Sequence, residues 1–270
     1  MVLRIVKLLI SAAYALAVQP LYRHLSRCRD RSCILLYYHA VPPGTEAGLA
    51  RQLDYLVKAA TPVPLGFGGP FVPKVRYVIV TIDDAFRSAV ERAVPELLKR
   101  RIPFAVFVPA GGLGQPPGWL EDPGRREASD SVATAEALRA IPPESVVFGS
   151  HTISHPHLPR LAKDEARREI QGSRRQLEAL LGRDILYLSF PFGDFSPRDL
   201  DLCREAGYRQ VLTSGYEPAF SPPDRFAKGR IGVNPSDWMI EFKLKAAGDY
   251  AWMAPVSALK KSFKNVLSFH

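Results

Sequence analysis

Short apolar runs alternate with amphipathic helical patterns through the middle of the chain. The runs are rich in β-branched and aromatic residues and lie at residues 34–38, 77–82, 104–108, 145–150, 185–190 and 208–213. Continuous apolar runs of this length are typical of strands that are buried on both faces of a sheet. Because helical patterns lie between the runs, the order predicts an α/β fold with a parallel sheet and right-handed crossovers.

Local signals mark the ends of several predicted helices. Ser88 and Glu91 have the spacing of a capping box in front of a helical pattern. Gly182 follows a long amphipathic stretch and is expected to end that helix. Ser196, which is followed by proline, is expected to begin the next helix, and Gly207 is expected to end it.

Composition and charge narrow the classes of protein that fit. The chain of 270 residues is 47% apolar and 23% charged, which excludes a disordered protein. Its 36 basic and 27 acidic side chains give a net charge of +9, which favours anionic partners such as nucleic acid, lipid-linked substrates or an anionic membrane. The excess charge lies at the two ends, and the sequence contains no recognised nucleic-acid-binding motif. We therefore expect no nucleic-acid partner.

The two ends differ from the middle, which divides the chain into residues 1–32, 33–238 and 239–270. In the first segment an apolar run at 8–18 has basic residues on both sides. At 1.5 Å per residue in a helix, this run covers about half of a ~30 Å hydrocarbon core, so a full span is not favoured. A helix lying on an anionic membrane is the favoured interpretation. Two alternatives stay open: a helix packed on the domain, and a secretory signal whose cleavage would leave a secreted or periplasmic protein.

The last segment mixes aromatic and aliphatic residues with Lys260, Lys261 and Lys264. This composition is typical of a basic amphipathic helix at a membrane surface, and equally of a terminal helix with a solvated lysine face. The two ends together predict a cell-envelope protein that is peripheral to an anionic membrane. Nothing in the sequence sets the oligomeric state.

Polar side chains follow the ends of the predicted strands. His39 follows the first strand, Asp83 and Asp84 follow the second, and His151 follows the fourth. Because the carboxyl ends of parallel strands meet at one edge of a sheet, we expect these side chains to lie close together. This edge is the predicted functional site.

The residues at this edge are suited to binding a metal. His151 and His155 are four residues apart, a spacing at which two imidazoles can share one cation, and Asp84 would add an oxygen ligand. Hydrogen-bonded loop histidines are the alternative. Asp83 and Asp84 are adjacent carboxylates, which repel unless a cation neutralises one of them. The other could then accept a proton, although helix capping is again an alternative.

Four short segments resemble one known family. Thr81-Ile-Asp83-Asp84 is similar to the TFDDG motif of the polysaccharide deacetylases, the NodB-homology family or carbohydrate esterase family 4. Residues 151–156 match that family's H-[S/T]-x-x-H-P motif, and residues 190–193 resemble its third motif, which reads YPYG in some members. Tyr38-His39-Ala-Val resembles the Y-H-x-V start of a subgroup in which the acid-bearing motif has moved to the front of the chain by circular permutation. The resemblance covers about residues 33–235.

The resemblance implies a distorted (β/α)7-type barrel with a last strand near 230–233. It also implies metal-dependent removal of an acetyl group from an N-acetylhexosamine in an envelope glycan or exopolysaccharide, or in its lipid-linked precursor. By the same resemblance Asp83 is the general base and His39 the general acid. The implied metal ligands are Asp84, His151 and His155. The residues expected to contact substrate are Pro191, Phe192 and Tyr38. Zinc is the expected metal, and cobalt or nickel would fit the same ligands.

The chain departs from the family pattern at three places. Ala85 stands where the family has glycine, which costs about 1 kcal/mol if that position needs a positive φ. The arginine that usually opens the third motif is missing, since Ser189 precedes Phe190. A late Leu-x-His motif is also missing, which is why His39 is the candidate acid. These departures leave a catalytically inactive, carbohydrate-binding relative as the alternative to an enzyme.

Overall fold

The computed structural model describes residues 2–18, 33–72, 74–120, 122, 124–215 and 226–254. The strands are β1 (Cys33–Tyr38), β2 (Thr61–Pro62), β3 (Tyr77–Ile82), β4 (Phe104–Val108), β5 (Val146–Ser150), β6 (Tyr187–Ser189), β7 (Gln210–Leu212), β8 (Ala227–Lys228) and β9 (Ile231–Gly232). The helices are α1 (Val2–Ala13), α2 (Glu46–Ala59), α3 (Arg87–Lys99), α4 (Ala135–Arg139), α5 (Lys163–Leu181), α6 (Pro197–Glu205) and α7 (Met239–Ala246). A π-helical turn (Tyr14–Val18) follows α1, and short 3₁₀ turns lie at Arg126–Ser129, Leu158–Arg160 and Pro191–Gly193.

The strands pair in parallel in the order β8-β7-β6-β5-β4-β3-β1-β9, and β2 pairs with the start of β3. The strands β8 and β9 stand at opposite ends of this order, yet only Gly229 and Arg230 separate them in the sequence. The chain therefore curls the sheet into a distorted barrel with helices outside it. This confirms the predicted α/β fold and its distorted barrel.

The apolar runs all contain strands. The strands β6 and β7 have three residues each and occupy only the middle of the runs predicted for them. The last predicted strand is β9, in which Ile231 pairs with Leu36 of β1. The strand β2 was not predicted, because two residues are too short to show an alternating pattern.

The helix boundaries follow the sequence signals at three of four places: Gly182, Ser196 and Gly207, which has φ 78° and follows the end of α6. Gly182 adopts a left-handed conformation with φ 64° and ends α5. Ser196 precedes α6 and donates its backbone N–H and its hydroxyl to the carboxylate of Asp199. The capping box at Ser88 is wrong, because α3 begins at Arg87 and Ser88 lies inside the helix. Its buried hydroxyl instead accepts a hydrogen bond from the backbone N–H of Val41.

The segments at both ends pack on the barrel where the structure describes them. Phe242 of α7 is fully buried and contacts Tyr55 edge to face, so α7 belongs to the main core although the sequence placed it in the last segment. The helix α1 lies against α7. Within the described residues, no helix is both long enough and apolar enough to cross a bilayer. The predicted basic segments at 19–32 and 255–270 lie outside the described residues.

Candidate active site

Predicted site residues meet at the carboxyl ends of β1, β3 and β5, where His39, Asp83, Asp84 and His155 line one cleft of about 230 Å³ and His151 lies buried beside Asp84. His39 follows β1, Asp83 and Asp84 follow β3, and His151 follows β5. Parallel strands place these positions at the same edge, as the sequence pattern predicts. Aromatic side chains complete the lining: Tyr37, Phe86, Trp119, Phe190 and Phe192.

Asp84, His151 and His155 form a cluster suited to one metal ion. The Oδ1 atom of Asp84 lies 3.2 Å from Nε2 of His155 and 3.5 Å from Nε2 of His151. One ligand atom from each residue lies within 4.8 Å of the others, and all three side chains are buried. A carboxylate oxygen and two imidazole nitrogens converging in this way make the N,N,O set of an open metal site.

Hydrogen bonding in this cluster supports a cation. The buried Oδ1 of Asp84 has no hydrogen-bond partner among the described residues despite its two close imidazoles. An unpaired buried carboxylate oxygen is costly unless a cation neutralises it. Nδ1 of His151 lies 2.7 Å from the backbone carbonyl oxygen of Ser189 and donates its proton there, which leaves Nε2 unprotonated and facing Asp84. The residues present therefore fit a divalent metal.

Among the described residues, Nδ1 of His155 has no hydrogen-bond partner, and ring packing holds this imidazole. Its ring stacks on Trp119, with centroids 4.6 Å apart, and meets the ring of Phe192 edge to face at 4.6 Å. Phe192 in turn stacks on His157 at 4.0 Å. Trp119 lies in a Gly- and Pro-rich loop without periodicity, so the sequence pattern did not single it out.

The loop that carries the two histidines is fixed by Glu169 of α5. One carboxylate oxygen of Glu169 accepts the backbone N–H groups of Ile153 and Ser154, at 2.8 and 3.0 Å, and the other accepts the hydroxyl of Ser154 at 2.7 Å. Hydrogen bonds to a charged acceptor are among the stronger ones in proteins. Glu169 therefore orients the loop that carries His151 and His155, a role that its place in an ordinary helical pattern did not reveal.

Asp83 is paired with Arg230, which reaches it from the segment between β8 and β9. The guanidinium donates to Oδ1 and Oδ2 of Asp83, both at 2.7 Å, and also to the hydroxyls of Thr81 and Ser189 at 2.9 and 2.7 Å. It lies over the ring of Tyr37, 4.6 Å from the centroid. An arginine thus lies beside Asp83 although the third motif lacks one, and it comes from a part of the chain 147 positions away.

The charges around this pair determine how Asp83 titrates. Burial alone would raise the pKa of Asp83, but the charge and hydrogen bonds of Arg230 outweigh it and hold this pKa well below its usual range. The carboxylate is therefore ionised at neutral pH. Burial lowers the pKa of His151 to about 4, so this imidazole is neutral at pH 7 and able to bind a metal.

Positive φ angles of non-glycine residues cluster at this site. The residues concerned are Asp84, Ala85, Thr152, His155 and Phe192, with φ between 49° and 65°. Such angles cost energy and persist where the surroundings enforce them, which occurs often at functional sites. Ala85, at φ 49°, therefore carries the strain expected at a glycine position, and the side chains of Asp84, His151 and His155 nevertheless converge.

A family model described as polysaccharide deacetylase matches residues 72–211, just over half of the chain. The chain belongs to the polysaccharide deacetylase family. This family, carbohydrate esterase family 4, consists of metal-dependent amide hydrolases. The matched region contains Asp83, Asp84, His151 and His155.

Two curated relatives illustrate the similarity within the deacetylase family. YxkH of Bacillus subtilis is 22% identical over 165 residues, which are 60% of this chain and 53% of that protein. The chitooligosaccharide deacetylase of Azorhizobium caulinodans is 25% identical over 138 residues, which are 51% of this chain and 58% of that protein. The chain thus spans about half the length of the curated relatives that it matches.

Solved structures of deacetylases share the fold. IcaB from Ammonifex degensii superposes with a TM-score of 0.68 at 24% identity, over 82% of this chain and 97% of that one. The Streptococcus pyogenes deacetylase PplD, solved in complex with acetate, has a TM-score of 0.65 at 19% identity, over 80% of this chain and 97% of that one. These likenesses agree with the distorted barrel described above.

The other residues predicted from the deacetylase motifs occupy different places. His39 lies in the cleft with Nε2 4.0 Å from Oδ2 of Asp84, and its role as acid stays a prediction. Phe192 lines the cleft, and Pro191 is buried beside it. Tyr38 is buried in the core, where its hydroxyl donates to the side-chain carbonyl of Gln52 at 2.9 Å. A substrate contact for Tyr38 does not fit this position, because alternation along β1 turns the neighbouring Tyr37 into the cleft instead.

Proposed function

We propose that this protein is a metal-dependent carbohydrate N-deacetylase. Its substrate is an N-acetylhexosamine in an envelope glycan or exopolysaccharide, or in the lipid-linked precursor of one. The observation that carries the proposal is the unbonded, buried Oδ1 of Asp84 between two imidazoles, directly beside the ionised Asp83. Family membership supports the class of reaction, and the aromatic residues that line the cleft support a sugar as the group bound there.

Asp84, His151 and His155 would hold the cation. The ligand set of one carboxylate and two imidazoles favours zinc, and cobalt or nickel are compatible with it. The chemistry supplied when such an ion is bound is Lewis acidity, which polarises an acetyl carbonyl and lowers the pKa of water.

Asp83 and His39 would move the protons. Asp83 is ionised and held by Arg230, and its Oδ1 accepts a hydrogen bond from Arg230 and keeps a lone pair that could accept a proton from the attacking water. Its Oδ2 accepts hydrogen bonds from both Arg230 and the hydroxyl of Ser189. His39 lies at the mouth of the cleft with a half-exposed side chain and would donate a proton to the leaving amine nitrogen. Such a donor is needed because an amide anion is a poor leaving group.

The aromatic walls of the cleft would position the sugar. Phe192 is 44% exposed and is held against His157 in a turn that requires Gly193. Gly193 has φ 63°, and a Cβ there would lie 1.8 Å from the hydroxyl oxygen of Ser214. The turn therefore fixes the direction of Phe192. An exposed aromatic ring beside a catalytic carboxylate is suited to packing against the apolar face of a pyranose.

The experiment is acetate release from a panel of N-acetylhexosamine oligosaccharides that differ in linkage and length, with lipid-linked acceptors included. We expect free acetate and an equal amount of new primary amine from at least one substrate, and none from the Asp83→Asn variant. Stoichiometric metal binding without acetate from any member of the panel would instead favour the inactive carbohydrate-binding relative.

A further inference from the structure

The helix α1 is packed on the barrel with its polar side inward. Arg4 donates to the carboxylate of Glu241 at 2.6 Å and lies over the ring of Trp238, 4.5 Å from its centroid. Ser11 is fully buried and accepts a hydrogen bond from the indole N–H of Trp252 at 2.8 Å. These contacts attach both ends of α1 to α7 and to the segment after it.

The apolar side of the same helix faces outward. The outward face consists of Val2, Leu3, Val6 and Leu9 of α1, with exposed fractions of 76%, 68%, 43% and 63%, together with Leu16 of the π-helical turn that follows, which is 81% exposed. Trp238 and Ile240 at the start of α7 are also exposed. A surface helix normally turns its apolar stripe toward the core, so this arrangement is inverted. Contiguous exposed apolar surface of this kind marks an interaction site.

The distribution of charge along the sequence favours one binding partner for this face. The described residues break off at Val18, shortly after the outward face. They also end at Ala254, two residues after Trp252, whose indole contacts α1. The segments that follow are strongly basic in sequence: Arg23, Arg27, Arg29 and Arg31 in the first, and Lys260, Lys261 and Lys264 in the second. An apolar helix face flanked by two basic segments matches the surface of an anionic bilayer. A second copy matches it poorly, because each chain carries a net charge of +9.

We propose that the outward face of α1 docks the protein on an anionic phospholipid membrane. The contacts of Arg4 and Ser11 hold this membrane-binding helix on the barrel. Arg4 also contacts the backbone carbonyl oxygen of Ser236, in the loop after β9. This loop lies at the carboxyl end of the strands, as the catalytic cleft does. The membrane surface therefore lies outside α7, on the side that faces away from the core. It is beside the end of the barrel that carries the cleft. The docking does not depend on the proposed deacetylase activity.

The test is flotation of the full chain with vesicles, without substrate. The probes are vesicles of phosphatidylcholine alone and of phosphatidylcholine with phosphatidylglycerol. We expect flotation with the anionic vesicles only, weakened by added salt. The double variant Leu9→Gln/Leu16→Gln should reduce vesicle affinity at least tenfold, roughly the effect of withdrawing a leucine from an apolar environment. Val72→Gln, a change at an exposed apolar residue before β3, is the matched control and should leave affinity unchanged.

Other occupants of the outward face give different results. Salt-insensitive or absent flotation of the wild type overturns the proposal, as does a double variant that binds like the wild type. A dimer in sedimentation velocity that the double variant disperses would assign the face to a second copy. If the protein floats only after residues 255–270 are removed, that segment, and not a membrane, occupies the outward face in the full chain. The Tm of each variant, measured by circular dichroism, must match that of the wild type for the comparison to be valid. If a variant fails this control, Leu3→Gln is tested in its place.

Discussion

Replacing Arg230 by methionine should strongly destabilise the barrel in a manner that depends on pH. Arg230 is 2% exposed and donates twice to Asp83, which is itself buried, so solvent screens the pair little. The Arg230→Met variant leaves this carboxylate buried without a counter-charge. Breaking a buried ion pair in this way costs about 3–5 kcal/mol. For a chain of this size the loss corresponds to a decrease in Tm of roughly 6–20 °C.

The pH dependence identifies the cause of the loss. In the wild type the pKa of Asp83 lies below its unfolded value of about 3.9, so its contribution to stability is present above that pH and is lost as the pH falls toward the folded pKa. In Arg230→Met, the main opposing charge is lost, and burial, which is the largest of the remaining influences, raises this pKa. The contribution of Asp83 then becomes unfavourable as the pH rises above about 4. The stability difference between the two proteins should therefore grow from pH 4 to pH 7.

The assay is urea unfolding of metal-free protein across this pH range, because bound metal would add its own linkage to stability. The double variant Arg230→Met/Asp83→Asn removes both charges and should recover about half of the loss or more at pH 7. A loss below about 1 kcal/mol for Arg230→Met, or an equal loss at pH 4 and pH 7, would refute the assignment of Arg230 as the counter-charge that keeps Asp83 ionised.

Three further changes separate the roles of the other site residues. His39→Ala should retain metal and fold but lose roughly 10²–10⁴ in turnover, and near-native turnover would exclude His39 as the acid. Asp84→Ala should lose the metal, so zinc should no longer raise its Tm; a full complement of zinc by elemental analysis would contradict the ligand assignment. Glu169→Gln should weaken zinc affinity about 10–100-fold by loosening the histidine loop, whereas Glu178→Gln on the same helix should not; equal affinities would remove that role.

The parts of the site that follow strand ends could be predicted from the sequence. Asp83, Asp84 and His151 each come directly after a buried apolar run, and the geometry of a parallel sheet brings such positions together. His155 could be added to this predicted site because it lies four residues after His151. These inferences need only the order of the strands, because every strand contributes its carboxyl end to the same edge.

The parts that depend on barrel closure could not be predicted in this way. Arg230 and Asp83 are 147 positions apart and meet only because β9 pairs with β1. The sequence pattern contains no local signal for that contact. Likewise, the apolar stripe of α1 shows that the helix has two unlike faces, but not that Arg4 and Ser11 find partners on the barrel and turn the stripe outward.

The most direct test of the proposed activity is a zinc titration of metal-free protein in which bound metal and acetate release are measured in the same samples. The proposed function predicts that acetate release from a responsive N-acetylhexosamine oligosaccharide rises with zinc and saturates at one ion per chain. The His151→Ala variant should bind no ion at this site and release no acetate. Acetate release that persists in metal-free protein, or in His151→Ala at wild-type rate, would contradict a metal-dependent deacetylase built on Asp84, His151 and His155.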